Sequence, residues 1–360
     1  MSRIARFVLM FSALLACGCA ARASGPELTT IAFGSCAKQD RPQPIWDAVL
    51  AARPQVWVWL GDNIYADTED MAVMAEKYRL MREVPGYKRL RESGVRILAT
   101  WDDHDFGAND AGAEYPKKVE SQKLFMDAFD EPADSPRRKQ QGVYASYLFG
   151  PPGKQVQIIL LDTRYHRSPL KAMDPRPERG GFWISDPDPD KTFLGAEQWR
   201  WLEDQLKVPA QLRIIGSSIQ FVSEEHNYEK WANFPRERER LLGLMKKTGA
   251  ARTLFISGDR HAADLSKMDG GIGYPVWDLT SSSLNSPIRP ERRGDDPNRH
   301  RVGDRFVEAN FGLIALEWAD GDLRSVRLEI RDERGKAVIR QRIDAAELQG
   351  ANPPQAVPAK

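Results

Sequence analysis

The sequence predicts an α/β protein, on three observations. Five short polar motifs, Gly34-Ser35-Cys36, Gly61-Asp62-Asn63-Ile64-Tyr65, Trp101-Asp102-Asp103-His104-Asp105, Leu161-Asp162-Thr163-Arg164 and Ser257-Gly258-Asp259-Arg260-His261, each close a hydrophobic run. Apolar runs of strand length alternate with segments of helical periodicity from Thr29 to Phe129. From Tyr274 onward the pattern changes to alternating strands. In open α/β sheets the polar chemistry gathers outside the carboxyl ends of the strands, so the five motifs are expected to meet in space.

Thr29 to Gly34 reads as a buried strand, Pro44 to Ala52 as a helix, and Val56 to Gly61 as a second buried strand. Asp70 to Arg82 has helical spacing, Val95 to Thr100 is a strand that ends at the acidic motif, and Val119 to Phe129 is a helix stopped by Pro132. This β-α-β-α-β-α order calls for parallel pairing with right-handed crossovers. Val143 to Phe149 and Val156 to Leu161 flank the turn cluster Gly150-Pro151-Pro152-Gly153 and read as antiparallel neighbours. Tyr165 to Lys191, rich in Pro, Arg and Gly, is expected to be a loop beside the site. Leu194 to Leu206 reads as a helix, Leu212 to Ile219 as a strand, Pro235 to Lys247 as a helix and Thr253 to Ser257 as a strand. Gly321-Asp322 and Arg334-Gly335 are turn signals in an antiparallel C-terminal portion, and Pro287 to Arg301 is expected to be a mobile loop.

Met1 to Ala23 has Arg3 and Arg6 ahead of the apolar stretch Phe7 to Ala16, which reads as a signal peptide too short to span a membrane permanently. Leu14-Leu15-Ala16-Cys17 resembles a lipobox, which favours cleavage before Cys17 and membrane anchoring through its lipid. Cys19 and Ala21-Arg22-Ala23 offer competing endings. A single domain over 24–348 and a disordered, proline-rich tail at 349–360 follow, in a protein exported to the cell envelope or periplasm. There Cys36 is the main free thiol, in an oxidising compartment. The net charge of +1 argues against nucleic-acid binding as a main role and requires any phosphate binding to be local.

The motifs together read as a metal-dependent hydrolase whose Asp, His, Cys and Tyr donors suit a mixed set of cations better than zinc alone. Asp62 and Tyr65 lie three residues apart, so one turn can aim both into a crevice where the carboxylate bridges two ions. A phenol, with a reference pKa of about 10, serves a trivalent ion better than a divalent one; Tyr65 is therefore either a ligand pointing to Fe3+ or a rim side chain. Asp102, Asp103 and Asp105 crowd around His104, and like charge at such density demands cations or hydrogen bonds. Asn63, Asn109 and Asp110 are candidates for supporting contacts. Arg164 suits bidentate phosphate recognition with Asp162 orienting it, or the two form a structural ion pair. An extended Asp259-Arg260-His261 would place the acid and the imidazole on one side, with Arg260 turned away or toward substrate. A carboxylate or carbonyl is expected behind His261. Cys36 is a metal thiolate or a small hydrophobe. The Trp57 and Trp59 pair and the Trp199 and Trp201 pair read as packing, His166 as exposed, and Pro235 to Arg240 as a solvated helical start.

Five such motifs in this order resemble the alkaline phosphatase D (PhoD-like) metallophosphoesterases, from about Thr29 to the tail. The resemblance implies a four-layer α/β/β/α sandwich holding Fe3+ and Ca2+. Cys36 and Tyr65 look like the iron ligands, Asp62 like the bridge, and Asp103, Asp259 and His261 complete the set, with His104 as general acid. The expected reaction is hydrolysis of a small-molecule or lipid phosphate mono- or diester by metal-bound hydroxide, with the cations and Arg164 on the equatorial oxygens. A phospholipase or nuclease would share these residues but show an apolar or basic approach groove. A non-catalytic envelope lipoprotein would lack a ligand, and none is missing. Longer members carry an N-terminal β-sandwich and twin arginines, whereas here Gly34 follows the leader almost at once and Arg3 and Arg6 are separated.

Overall fold

The computed structural model describes residues 25–289 and 296–349. The leader with Cys17 and Cys19, the middle of the Pro287 to Arg301 segment and the tail from 350 lie outside the described residues.

The first half forms β1 (Thr30–Gly34), α1 (Ile45–Ala51), β2 (Val56–Leu60), α2 (Met71–Glu83), α3 (Pro85–Glu92), β3 (Arg96–Thr100), α4 (Asp103–Phe106) and α5 (Lys118–Ala128). Then come β4 (Ala145–Phe149), β5 (Val156–Leu160), a two-stranded ribbon of β6 (Lys171–Ala172) and β7 (Trp183–Ile184), α6 (Gly195–Leu206), β8 (Leu212–Ser217), α7 (Pro235–Thr248) and β9 (Thr253–Ser257). The chain ends in β10 (Ala263–Asp269), β11 (Pro275–Ser281), β12 (Asn310–Ala319), β13 (Asp322–Asp332) and β14 (Ala337–Asp344).

Two six-stranded sheets result, in the orders β14-β13-β12-β1-β2-β3 and β10-β11-β9-β8-β5-β4. Strands β1, β2 and β3 pair in parallel, and β12, β13 and β14 extend that sheet antiparallel. In the second sheet β5, β8, β9 and β11 are parallel, edged by antiparallel β4 and β10. Alternation along β2 shows how the layers form. Val56, Val58 and Leu60 enter the core between the sheets, whereas Trp57 and Trp59 face the layer of α1, α2, α3 and α5. There Trp46 meets Trp57 and Trp59 edge-on at 4.9 and 5.4 Å. On the far side α6 and α7 pack Trp199, Leu202, Leu241 and Met245 over Ile159, Ile215 and Phe255. The result is a four-layer α/β/β/α sandwich. Because both sheets are covered on both faces, their central strands read as unbroken apolar runs.

Local signals account for most boundaries. The Asp70 carboxylate caps α2 by accepting from Ala72 and Val73 N–H at 2.8 and 3.3 Å. Pro235 opens α7 and Gly249, at φ +65°, closes it. Several elements were not expected. Helix α3 lies between the expected helix over Asp70 to Arg82 and the strand from Val95, and it opens at Pro85, a residue suited to a helix's first turn. The acidic motif itself coils into α4, and β10 follows the Gly-Asp-Arg-His motif directly. The start of α7 is not simply solvated: buried Glu237 accepts from Trp199 Nε1 and Phe193 N–H, both at 2.7 Å. Trp201 lies partly buried against Tyr144. The described end of the Pro287 to Arg301 segment is tied down by Asp296, which pairs with Arg260, Arg301 and Arg305.

Candidate metal centre

The carboxyl ends of β1, β2, β9 and β11 converge where the two sheets meet, and glycines permit the approach. A Cβ on Gly258 would lie 2.6 Å from Ser35 Oγ and 2.9 Å from the Leu60 carbonyl; one on Gly61 would lie 2.3 Å from Asp102 Cβ. Immediately beyond the strands, Cys36 (φ +57°), Asp62 (φ +51°), Asp259 (φ +69°) and His261 (φ +52°) all take the left-handed conformation. That costs about 1–3 kcal/mol per non-glycine residue, so surrounding contacts must enforce it. The Asp259-Arg260-His261 segment is therefore not extended: left-handed bends at Asp259 and His261, on either side of Arg260, break the strand geometry.

Cys36 Sγ lies 3.2 Å from Asp62 Oδ2 and 3.1 Å from Ser282 Oγ, and the Tyr65 hydroxyl donates to Asp62 Oδ2 at 3.1 Å. His261 is oriented from behind. Its N–H donates to Ser282 Oγ at 2.8 Å and its Nδ1 contacts the Ser286 carbonyl at 2.5 Å, which leaves Nε2 as the nitrogen that could take a metal. Donor atoms of Cys36, Asp62 and His261 lie within 4.8 Å of one another, as do those of Asp62, Asp103 and His104. Asp62 thus belongs to both groups.

Asp105 organises this turn from beneath, accepting from the N–H groups of Asp62 (3.1 Å) and Asp102 (2.6 Å) and from Asn63 Nδ2 (2.5 Å). Asn63 also donates to the Thr100 carbonyl, so it braces β3 against the β2 turn. Asp103 accepts from the N–H of Asp110 at 2.7 Å, and the Asp110 carboxyl accepts from Trp183 Nε1 at 2.9 Å. Asn109 is exposed beside it. His104 stands half-buried with its ring 4.3 Å from that of Tyr65, and Asp67 holds its Nδ1 at 2.7 and 2.8 Å.

Burial pushes the carboxyls of Asp62 and Asp259 and the Cys36 thiol and Tyr65 phenol well above their ordinary values, and neighbouring acids push them further. Burial lowers His261 to about 4, so it stands neutral and ready to ligate. Burial alone would lower His104 too, but Asp103, Asp62 and Asp67 outweigh it and raise the imidazole to about 11. A sulfur, a phenol, the carboxyls of Asp62 and Asp259 and a neutral imidazole that resist ionisation beside Asp103, whose carboxyl His104 and Arg164 hold below the usual range, describe a site suited to cations. Asp62 Oδ1 supports the same fit, being buried without a hydrogen-bond partner.

Four residues singled out in the sequence play other parts. Arg164 does not face the crevice: fully buried, it donates to Asp102 at 2.7 and 2.5 Å and to Glu229 at 2.8 and 2.7 Å, which saturates its fork. Nor does it pair with Asp162, whose carboxylate instead caps the following turn by accepting from Arg164, Tyr165 and Val143 N–H. Arg260 is buried over the Tyr228 ring and paired with Asp296 at 2.8 Å. His166, expected at the surface, is half-buried, with Nε2 enclosed.

Sequence reasoning missed Lys38, Asp67, Glu229 and the run Ser282 to Ser286. That run leaves β11, a strand parallel to β9, so the strand-end rule that found the five motifs applies to it as well. Glu229 and Asp67 lie in irregular segments with no such signal.

The model of the PhoD-like phosphatase family matches residues 31–333. Alkaline phosphatase D of Bacillus subtilis (strain 168) is 25% identical over 210 residues, which cover 52% of this chain and 34% of that protein, so the match spans about a third of the relative's length. Among solved structures, that of PhoD superposes with a TM-score of 0.62 at 17% identity, covering 89% of this chain and 73% of that one. A purple acid phosphatase from yellow lupin (Lupinus luteus) seeds gives 0.59 at 12% identity, with 89% and 54% covered. A dimetal phosphatase from Danio rerio gives 0.54 at 14%, with 89% and 100% covered. The structural likenesses carry the four-layer fold, and the family match runs from β1 into the turn after β13: the chain belongs to the PhoD-like phosphatase family.

Proposed function

We propose that this protein is a metal-dependent phosphoesterase acting on phosphate mono- or diesters, with Fe3+ and Ca2+ as its ions, exported to the cell envelope and anchored there through Cys17. The observation that carries the reading is Asp62, a buried carboxylate shared by two donor groups and retaining an unpartnered oxygen. Cys36, Tyr65 and His261 would hold Fe3+, Asp62 would be shared, and Asp103 and Asp259 would complete the pair. When bound, such ions lower the pKa of a coordinated water and neutralise phosphoryl oxygens. Retention of every expected donor favours an enzyme over a non-catalytic lipoprotein.

The chain's own contribution is proton delivery and orientation. Asp67 fixes the His104 ring through Nδ1, which leaves Nε2 as the nitrogen available to the crevice, and the same carboxylate favours the protonated ring. His104 then donates from Nε2 to the leaving oxygen, while Asp105 and Asn63 keep Asp62 aligned.

A leaving group that is a poor base scarcely needs that proton, and an aliphatic alkoxide does. General acid catalysis contributes about 10²–10⁴-fold, so His104→Ala is expected to lose roughly that much on alkyl phosphate esters and far less on nitrophenyl esters. Equal losses on both, with metal content retained, reject the acid role. Absence of activity from metal-loaded wild type on a panel of mono- and diesters rejects the phosphoesterase reading altogether.

A further inference from the structure

A phosphate ester brings negative charge into a crevice already lined by Asp62, Asp103, Asp259 and Asp67, so beside any bound metal ions an uncommitted side-chain cation is the natural group to meet its remaining oxygens. The guanidiniums nearby are committed. Arg164 serves Asp102 and Glu229, Arg167 lies 3.2 Å from Glu229 and donates to the Asp110 carbonyl, and Arg260 serves Asp296. Lys77 donates to the Tyr65 carbonyl at 2.6 Å.

Lys38 differs from all of these. It is half-buried, its Nζ lies 3.9 Å from the centroid of the Tyr65 ring, and among the described residues the ammonium has neither an ion pair nor a hydrogen bond. An ammonium seated on an aromatic face keeps its N–H donors available on the side away from the ring. The Lys38 backbone is pinned from both directions: its N–H donates to Asn285 Oδ1 at 2.7 Å, and its carbonyl accepts from Asn285 Nδ2 at 2.9 Å and from Gln43 Nε2 at 3.1 Å. This bracing ties the loop after Cys36 to the segment after β11, which also orients His261. A long, flexible side chain is thereby held ready beside the metal donors at reduced ordering cost.

We propose that Lys38 binds the non-bridging oxygens of the substrate phosphate, the part for which Arg164 had been the sequence candidate. The proposal rests on the phosphoesterase reading above. A point charge on oxygens that are anionic before and during reaction stabilises ground and transition states alike, so its loss is read in KM more than in kcat.

The test compares metal-loaded wild type, Lys38→Met, Lys38→Arg and Asn285→Ala on nitrophenyl phosphate, with inorganic phosphate as competitor and as a calorimetric ligand. Loss of a charge-assisted contact is expected to raise KM and the phosphate inhibition constant in parallel, by roughly tenfold to hundredfold in Lys38→Met, with kcat and metal content little changed. Lys38→Arg should recover most of that loss, and Asn285→Ala should show a smaller rise of the same kind. Unchanged KM and phosphate affinity in Lys38→Met overturn the proposal. So does a fall in kcat accompanied by metal loss, which would make Lys38 a support for Tyr65 alone. Should wild type hydrolyse no phosphate ester, the phosphoesterase reading fails, and calorimetry still decides Lys38 by whether phosphate binding depends on it.

Discussion

Arg164 carries a full charge at a position with no exposure, which only Asp102 and Glu229 make tolerable. Removing the guanidinium strands two buried carboxylates, and breaking a buried pair in this way costs about 3–5 kcal/mol. Arg164→Met is therefore expected to lower the urea midpoint by a corresponding amount while leaving KM of the folded enzyme near wild type. A raised KM at unchanged stability would return Arg164 to the phosphate. Its motif closes a strand just as the others do, and whether a side chain beyond a strand end turns inward or outward depends on partners that are remote in sequence. Glu229 is such a partner, 65 residues away. Cys36, Asp62, Tyr65 and His261 were legible because each is a metal-competent type at a strand end. Lys38 was not, since a lysine in a loop carries no signal until the ring beneath it is known.

At the scale of the element, the end of β9 meets the ends of β1 and β2 with no space for a methyl group at Gly258. The obstructing Leu60 carbonyl is backbone and cannot yield cheaply, so Gly258→Ala must move the turn that bears Asp259 and His261. A displacement of the order of 1 Å at a reacting centre costs roughly 10²-fold, and a loss of that size in activity, with weakened metal retention, is expected. Gly243 supplies the contrast: it lies in α7 with nothing within 4 Å of a new Cβ. Gly243→Ala should raise the melting temperature, since alanine favours an exposed helix by about 1 kcal/mol. Equal metal content and activity in the two variants would refute the steric account. Elements whose pattern is local, such as α2 under its Asp70 cap or the parallel β1, β2 and β3, were readable in sequence. Strand β10 was not, because its alternation is brief and follows a motif that draws the eye as a loop.

For the whole molecule, two sheets press their strand ends together and bury acids that water would otherwise ionise. Burial raises Asp62 and Asp259, and it raises Asp278, under the Phe221 and Val222 N–H groups, to about 6. A carboxyl whose folded pKa exceeds its unfolded value of about 4 adds stability that is full below that value and is lost as pH rises through the folded one. Bound cations reverse the sign for Asp62 and Asp259 by favouring their charged forms. Chelator-stripped protein should therefore melt lower than loaded protein, and the gap should widen between pH 5 and pH 8. A gap that stays constant or narrows over that range would show that these acids do not depend on metal for their charge.

Residue order alone determined the class of fold, the positions of most strands and the chemical kinds gathered at their ends, because periodicity and strand-end polarity are local properties written along one chain. It also carried the family, since five motifs in fixed order are themselves a sequence property. Only the tertiary structure decided which of those polar side chains face the crevice. It turned Arg164 and Arg260 into internal counter-ions, made Asp67 the partner of His104, and set Lys38 over Tyr65 with no ion-pair partner among the described residues. The reason is physical: a charge's role is set by what neutralises it, and in a sandwich of two sheets the neutralising groups arrive from distant segments whose meeting no local pattern encodes.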